Sequence, residues 1–545
     1  MSLRLEMQKL TANVLVGENT AQTVIEGSIT VPESEPAIGK ALLAKATPHL
    51  VQTNVGEDQI SVEGVLDVAF YYASITETEV PGELEEDAPA IILEERLEKG
   101  TFKGAFPFSF VLDVPGARSG MSAQARAVVE NTSFEVHGDQ RTVDIDTVVV
   151  FTASVSGSQE LGFSNRAIAS ADVELQQQRV RITSVPAAGK CRVKMEGILP
   201  FGGKELPGKV LDLDFWAAAP PTVKLENGIA HVNAPLSCTL LYTAAELGPA
   251  QSEWANAASC QADVALPGVS TQAEVDVAVA PHTTLWRVVD NGTDRGLAYE
   301  ITVDMQVQAY DVWQPEIITT LYGTGTTNVA ARRCGLVVQE SIGENSTRMA
   351  TENLLELPAG AAPVERVLSS AARVQVENVQ VLGDKVAIEG TASFDMLYIG
   401  RAGEATSLSV ASWPAGISLE LEVPLTGAEP GLERRVEVSV ENVQVDLINR
   451  EMVEVTLELA TKVRLWRTVD LDVVVEAVEV PPLAPNPPSY TFVSIHEGDT
   501  LWKLAQRYHT DVTSILAANS SLESEEAPLP KGGKVCIPKA KQSVA

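Results

Sequence analysis

The stretch 16–46, VGENTAQTVIEGSITVPESEPAIGKALLAKA, returns at 342–372 as IGENSTRMATENLLELPAGAAPVERVLSSAA. Gly17-Glu18-Asn19 falls on Gly343-Glu344-Asn345, an offset of 326 residues, and Pro32 falls on Pro358 at the same offset. The offset holds downstream, where VEGVLDVAFYY (62–72) meets IEGTASFDMLY (388–398) and Tyr72 meets Tyr398. An ungapped match of this length is a duplication. A more diverged third copy lies between the two. Glu26-Gly27 corresponds to Glu196-Gly197 and Tyr72 to Tyr242, both at an offset of 170. The second halves recur too, as ENTSFEVHGDQRTVDIDTVVVF from Glu130 and ENVQVDLINREMVEVTLELA from Glu441.

Within each copy apolar and polar residues alternate, the period of a half-buried strand. Turns such as VGEDQ, LGDK and HGDQ carry the Gly and Asp that tight hairpins need. The chain is therefore mainly β, with three tandem antiparallel β-rich repeats at 10–158, 159–330 and 331–480. One helical interruption is expected in the outer copies, because Ile38/Leu42 and Val364/Leu368 stand at i and i+4 after a proline-containing entry. The middle copy reads PGKVLDLDFW there, a strand, as if its helix had been lost. The repeated Glu-Gly at Glu26, Glu63, Glu196 and Glu389 reads as a bulge or bend. PGELEEDAP (81–89) reads as a solvated acidic loop. PPLAPNPPS (481–489) reads as an extended polyproline spacer of roughly 28 Å at about 3.1 Å per residue.

Composition narrows the function. The formal charge is −33 over 545 residues. That excludes nucleic acid as a partner, since binding it needs basic surface, and disfavours an anionic membrane surface. No run of eighteen apolar residues occurs, so no transmembrane segment is expected. The N-terminus MSLRLEMQKLTANVLVGENT lacks an apolar signal region. The cysteines Cys191, Cys238, Cys260, Cys334 and Cys536 are odd in number, widely spaced and without a C-x-x-C pair. They read as reduced core thiols of a cytoplasmic protein.

A search for chemistry finds no G-x-S-x-G, H-E-x-x-H or phosphate-binding loop, and the histidines lack metal-ligand spacing. YGTGTTN (322–328) lacks the final glycine of a dinucleotide loop and reads as noise. The pairs Asp144/Asp146, Asp212/Asp214 and Asp470/Asp472 each share one strand face, which reads as solvated polar surface rather than a glycosidase pair. No catalytic residue, metal or cofactor is expected, and the chain is not read as an enzyme.

The terminal segment 490–539 breaks the pattern. Tyr490 to Val493 is a short β run. Asp499 or Thr500 caps a helix in which Leu501, Leu504, Ala505 and Tyr508 share a face. Asp511 caps a second helix carrying Ile515 and Leu516, which ends near Asn519, and GKVCIPK (533–539) supplies a closing strand. This β-α-α-β order, with GDTLWKLAQRY at 498–508, closely resembles the LysM domain. The resemblance implies binding of N-acetylglucosamine-containing glycan in a groove. Gly498, Asp499, Thr500, Leu501 and Trp502 would form one wall, with Asn519, Ser520, Ser521 and Leu522 on the other. Trp502, on the polar side of its helix, is the residue expected to touch a partner. Glu523, Glu525 and Glu526 in the second loop oppose the carboxylates of peptidoglycan stems.

The repeats, through VIEGSITVPESEPAIGKALLAKA and VEGVLDVAFYY, resemble the SPOCS domain of endospore-forming bacteria. SPOCS repeats followed by LysM resemble coat-morphogenesis proteins. That resemblance implies a scaffold in the mother-cell cytoplasm at the forespore surface, its LysM docking on a coat-basement ATPase, stage IV sporulation protein A. Two other readings stand beside it: a peptidoglycan-binding envelope protein, and a wall hydrolase with an unfamiliar site.

Overall fold

The computed structural model describes residues 3–80, 90–168, 173–201, 206–244, 248–271, 273–290, 295–324, 328–402, 405–480, 489–522, 524, 529 and 532–538. The acidic excursion 81–89, most of the proline-rich spacer, and Glu523, Glu525 and Glu526 lie outside the described residues.

The first repeat comprises β1 (Arg4–Thr30), β2 (Lys40–Val55), β3 (Gln59–Val80), β4 (Ala90–Asp113), β5 (Ser122–Val136) and β6 (Thr142–Ile168). The middle repeat holds β7 (Val173–Arg179), β8 (Ile182–Pro200), β9 (Lys209–Ala217), β10 (Thr222–Glu226), β11 (Ile229–Ala244), β12 (Gly248–Ala265), β13 (Glu274–Asp290), β14 (Arg295–Trp313) and β15 (Glu316–Gly323). The third holds β16 (Asn328–Glu356), β17 (Val364–Leu382), β18 (Lys385–Ala402), β19 (Ala405–Pro424), β20 (Glu433–Asn449) and β21 (Met452–Val480). The terminal module follows as β22 (Tyr490–Ser494), α1 (Leu501–Tyr508), α2 (Val512–Ala518) and β23 (Lys534–Pro538).

Each outer repeat is a sandwich of two antiparallel layers, β1-β6-β5 on β2-β3-β4 and β16-β21-β20 on β17-β18-β19. A single β8–β16 pair, Ile182 with Glu340, continues β16-β21-β20 into the middle repeat as one six-stranded sheet. The middle repeat keeps the plan, with β8-β14-β13 facing the β9/β10-β11-β12 sheet. Alternation builds the cores. Ile60, Val62, Leu66, Val68 and Phe70 of β3 all turn inward, as do Val386, Ile388, Ala392, Phe394 and Met396 of β18. Duplicated residues do duplicated work. Tyr72 OH donates to Pro36 O at 3.1 Å, and Tyr398 OH to Ala362 O at 3.0 Å. Asp58 (φ 57°) and Asp384 (φ 59°) turn the hairpins, and each carboxylate accepts from a glycine amide, Gly116 or Gly427.

The first and last strands of each repeat pair beyond their sandwich as a ribbon. β1 stays paired with β6 out to Arg4–Ile168, and β16 with β21 out to Asn328–Val480. The strands therefore run past the expected edges at 158/159 and 330/331. The three ribbons meet in a shared core containing Ala12, Ile182 and Val338, which are equivalent at offsets 170 and 326. A second shared core joins the three inner sheets through Tyr71, Leu241 and Leu397 with Leu42, Leu211 and Leu368.

That second core overturns the expected helices. Residues 38–42 and 364–368 contain no helix, and the strands β2 and β17 begin there. Leu42 and Leu368 are each the extra residue of a β-bulge, at Ala41/Leu43 and Val367/Ser369, as is Leu211 opposite Leu241/Tyr242. The bulge turns its leucine away from the repeat's own core, where Ile38 and Val364 pack, and into the shared one. A spacing of four thus arises from a bulged strand, and the middle copy has lost nothing.

The Glu-Gly reading is corrected in part. No register shift occurs at Gly27 or Gly197, whose missing Cβ leaves room for the Phe106 ring and the Tyr299 hydroxyl, 2.2 and 2.4 Å from where that atom would sit. Bulges do lie opposite Gly64 and Gly390, at Leu50/Gln52 and Val376/Asn378 of the partner strands.

The repeats join head to tail. Lys40, Lys209 and Arg366 occupy one equivalent position, paired with Ala73, Thr243 and Ile399. Lys40 Nζ donates to Leu408 O of the third repeat (2.7 Å), Arg366 to Pro249 O of the middle one (2.6 Å), and Lys209 to Glu98 of the first (2.5 Å). A heterologous contact whose rotation closes makes a ring, here with pseudo-threefold symmetry inside one chain.

Candidate functional site

In the terminal module β22 and β23 pair antiparallel, and α1 and α2 bury Leu501, Leu504, Ala505, Val512 and Ile515 against Val493, Val535 and Ile537. Thr500 is the N-cap of α1, its Oγ accepting from Lys503 N at 3.2 Å. Asp499 does other work: it accepts from His496 N (2.8 Å) and pairs with Arg507 (3.2 Å), and both contacts hold its carboxyl below the usual range, the backbone bond foremost. Asp511 caps α2 through Ser514 N at 2.6 Å.

The candidate wall residues divide by what they already touch. Gly498 takes φ 82°, a left-handed turn that favours glycine, and its carbonyl accepts from Lys503 Nζ. Leu501 is core. Asn519 is consumed in stitching α2 to β23, donating to Ile515 O and Cys536 O and accepting from Cys536 N. Leu522 is half-buried on the module's core, while Ser520 and Ser521 stand exposed.

Trp502 is only half exposed. Its ring meets Tyr322 of β15 edge-on, centroids 5.1 Å apart at 75°. Tyr322 OH donates to Thr510 O at 3.0 Å, and His509 Nδ1 lies 3.2 Å from Gly323 O. Burial pushes the Tyr322 phenol well above its ordinary range. The Trp502 indole Nε1 is buried with no hydrogen-bond partner. Sequence reasoning passed over Tyr322, dismissing YGTGTTN as noise. Its signal is a single aromatic ending a strand, which only the fold brings to the module.

The aspartate pairs also divide. Asp144, Asp146, Asp470 and Asp472 are accessible on strand faces, with Asp144 bonded to Ser28 and His137. Asp212 is corrected: it lies between repeats, bound to Lys99 Nζ at 2.5 Å and to Tyr71 OH, with side chains of Lys99 and Asp212 only 11% and 18% accessible. Asp214 two residues on stays exposed, but solvent is largely shut out at Asp212 because the sheets of the first and middle repeats close over it. Burial opposes its ionisation, but Lys99 foremost, with Tyr71, holds the Asp212 carboxyl low. Neighbouring Asp214 is exposed, yet the protein atoms packed around its carboxyl, then the Asp212 charge, push it up to about 6.

All five cysteines are free, but only Cys238 and Cys260 are core; Cys334 is exposed on β16, correcting the reading of all as core thiols. Among the described residues no group of three or more side chains is placed to hold a metal ion, and no helix is long and apolar enough to cross a membrane.

Comparison with protein families matches residues 37–137 and 363–448 to the SPOCS domain described as SipL, and residues 493–538 to the LysM domain. The SPOCS matches cover β2 through β5 and β17 through most of β20; the middle repeat lies outside them and shares their strand plan. Comparisons with curated proteins and with solved structures returned no match.

Proposed function

The chain joins SPOCS domains to a C-terminal LysM domain, the makeup of a cell-envelope, sporulation-related protein with a peptidoglycan-binding type of module, and from that premise we propose a non-catalytic scaffold of the spore coat. The repeats form its body, and LysM attaches that body to a protein at the forespore surface, on the mother-cell side. Stage IV sporulation protein A, the coat-basement ATPase, is the partner that the SPOCS-plus-LysM resemblance implies. The observation that carries the protein reading is Trp502: its ring and the turn after α1 already engage a protein side chain, Tyr322.

One observation favours glycan as a second ligand. Ser520 and Ser521 remain exposed on the second wall, free of the module's core. Titrating the purified chain with the ATPase and with chitin oligomers separates the two readings. ATPase binding that disappears when residues 489–545 are removed supports attachment through LysM. Unchanged ATPase binding by that truncation overturns it, and tight chitin binding with no ATPase binding transfers the role to glycan.

A further inference from the structure

Tyr322 is the sole residue of the repeats, among those described, in the core cluster of the LysM module. It is 4% exposed, although it stands at the end of a two-stranded ribbon. Its equivalents at the other two ribbon ends, paired with Arg4 and Ala330 as Tyr322 is with Glu174, are Ile168 and Val478. Those are 40% and 49% exposed. The module thus sits on the one end of three that carries an aromatic ring with a hydroxyl.

We propose that Trp502, His509 and Thr510 form a seat for a tyrosine presented at the end of a β-strand, that Tyr322 is its resident occupant, and that a partner protein docks by offering such a strand end in its place. This rests on the attachment reading above and names the chemistry of the partner. Three features define the ligand: a ring meeting Trp502 at 75°, a phenol donor for Thr510 O, and a following carbonyl beside His509 Nδ1. The seat is incompletely filled, because the buried indole Nε1 finds no acceptor. Leaving a buried donor unmade is costly. A partner strand that adds a carbonyl or carboxylate there gains a hydrogen bond that Tyr322 does not supply.

The test uses a labelled peptide of residues 316–324, EIITTLYGT, added to the full chain and followed by fluorescence anisotropy. Tyr322→Ala empties the seat and should bind the peptide at least tenfold more tightly than the wild type, whose seat is filled. Adding Trp502→Ala to that variant should abolish the gain, and a peptide with alanine for the tyrosine should not bind. Tyr322→Phe keeps the ring and should exclude the peptide as the wild type does. Where Tyr322→Ala perturbs β15, excess peptide on the wild type gives a second reading: hydrogen exchange in α1 and β15 should quicken with the tyrosine peptide and not with its alanine form. Equal peptide affinity across wild type and variants, or no binding to any, overturns the seat. If the peptide fails while truncation still removes ATPase binding, the seat falls and the attachment reading stands.

Discussion

Replacing Asp212 tests how the repeats are held to one another. Its carboxylate, on β9 of the middle repeat, meets Lys99 and Tyr71 on β4 and β3 of the first, with Lys99 Nζ 2.5 Å away. Tyr71 is 1% exposed and the Lys99 side chain 11%, so Asp212→Ala removes the carboxylate bonded to both, leaving the phenol without its acceptor and the ammonium with only the attraction of Asp214 and the Tyr71 ring. Removing one member of a buried ion pair costs about 3–5 kcal/mol. Roughly 4 kcal/mol is a factor of nearly a thousand in the unfolding constant, at about 1.4 kcal/mol per decade. Asp212→Asn, which still accepts from Tyr71, should cost somewhat less. The double variant Lys99→Met/Asp212→Leu fills the space without charge and should return to within about 1 kcal/mol of the wild type. Calorimetry and urea titration on the wild type, Lys99→Met, Asp212→Leu and the double variant supply the cycle. Single variants costing under about 1 kcal/mol, or single costs that simply add in the double, would refute the argument that this contact is a desolvated clasp.

Leu504→Ala removes a fully buried side chain at the centre of the LysM core and should cost about 2–5 kcal/mol, melting the module ahead of the repeats in a calorimetric scan. Asp214, facing Asp212, Lys45 and Lys99, has its pKa raised from 3.8 to about 6. Folding therefore favours its protonated form, and its contribution is lost as pH rises through that window. Asp214→Asn should gain stability relative to the wild type as pH climbs from about 4 to about 6, and a constant difference in Tm across that range would contradict it. Cys334 should be the first thiol alkylated on the native protein, with Cys238 and Cys260 reacting only after unfolding, as peptide mass mapping would register.

The duplication made most of the architecture legible, because alternation and repeated turn residues have short-range causes. Strand pairing, the hairpin aspartates and both LysM helices with their capped starts were readable from local pattern. What escaped reading lies between repeats. Leu42 and Leu368 carry the spacing of a helix face, and only their bulges and the neighbouring sheets explain it. Asp212 looks like any polar strand residue until a second sheet closes over it. Trp502 stands out in the sequence as a residue expected to meet a partner, and the side chain that meets it within the chain, Tyr322, is 180 residues upstream and invisible to any window of sequence. Asp499, Thr500 and Asn519 show the converse: their motif positions suggest ligand contacts, and their side chains are engaged in caps and stitches.

The head-to-tail closure of the repeats also sets valency. Three identical protomers arranged this way would each bring a module, and a surface met by three heads is held by avidity, with effective concentrations near millimolar for short tethers. In this chain one ribbon end carries a tyrosine, and one LysM match, at 493–538, accompanies three repeats. On the attachment proposed above, one module per body would give monovalent engagement, and multiplicity at a surface would come from many such bodies together rather than from any one molecule.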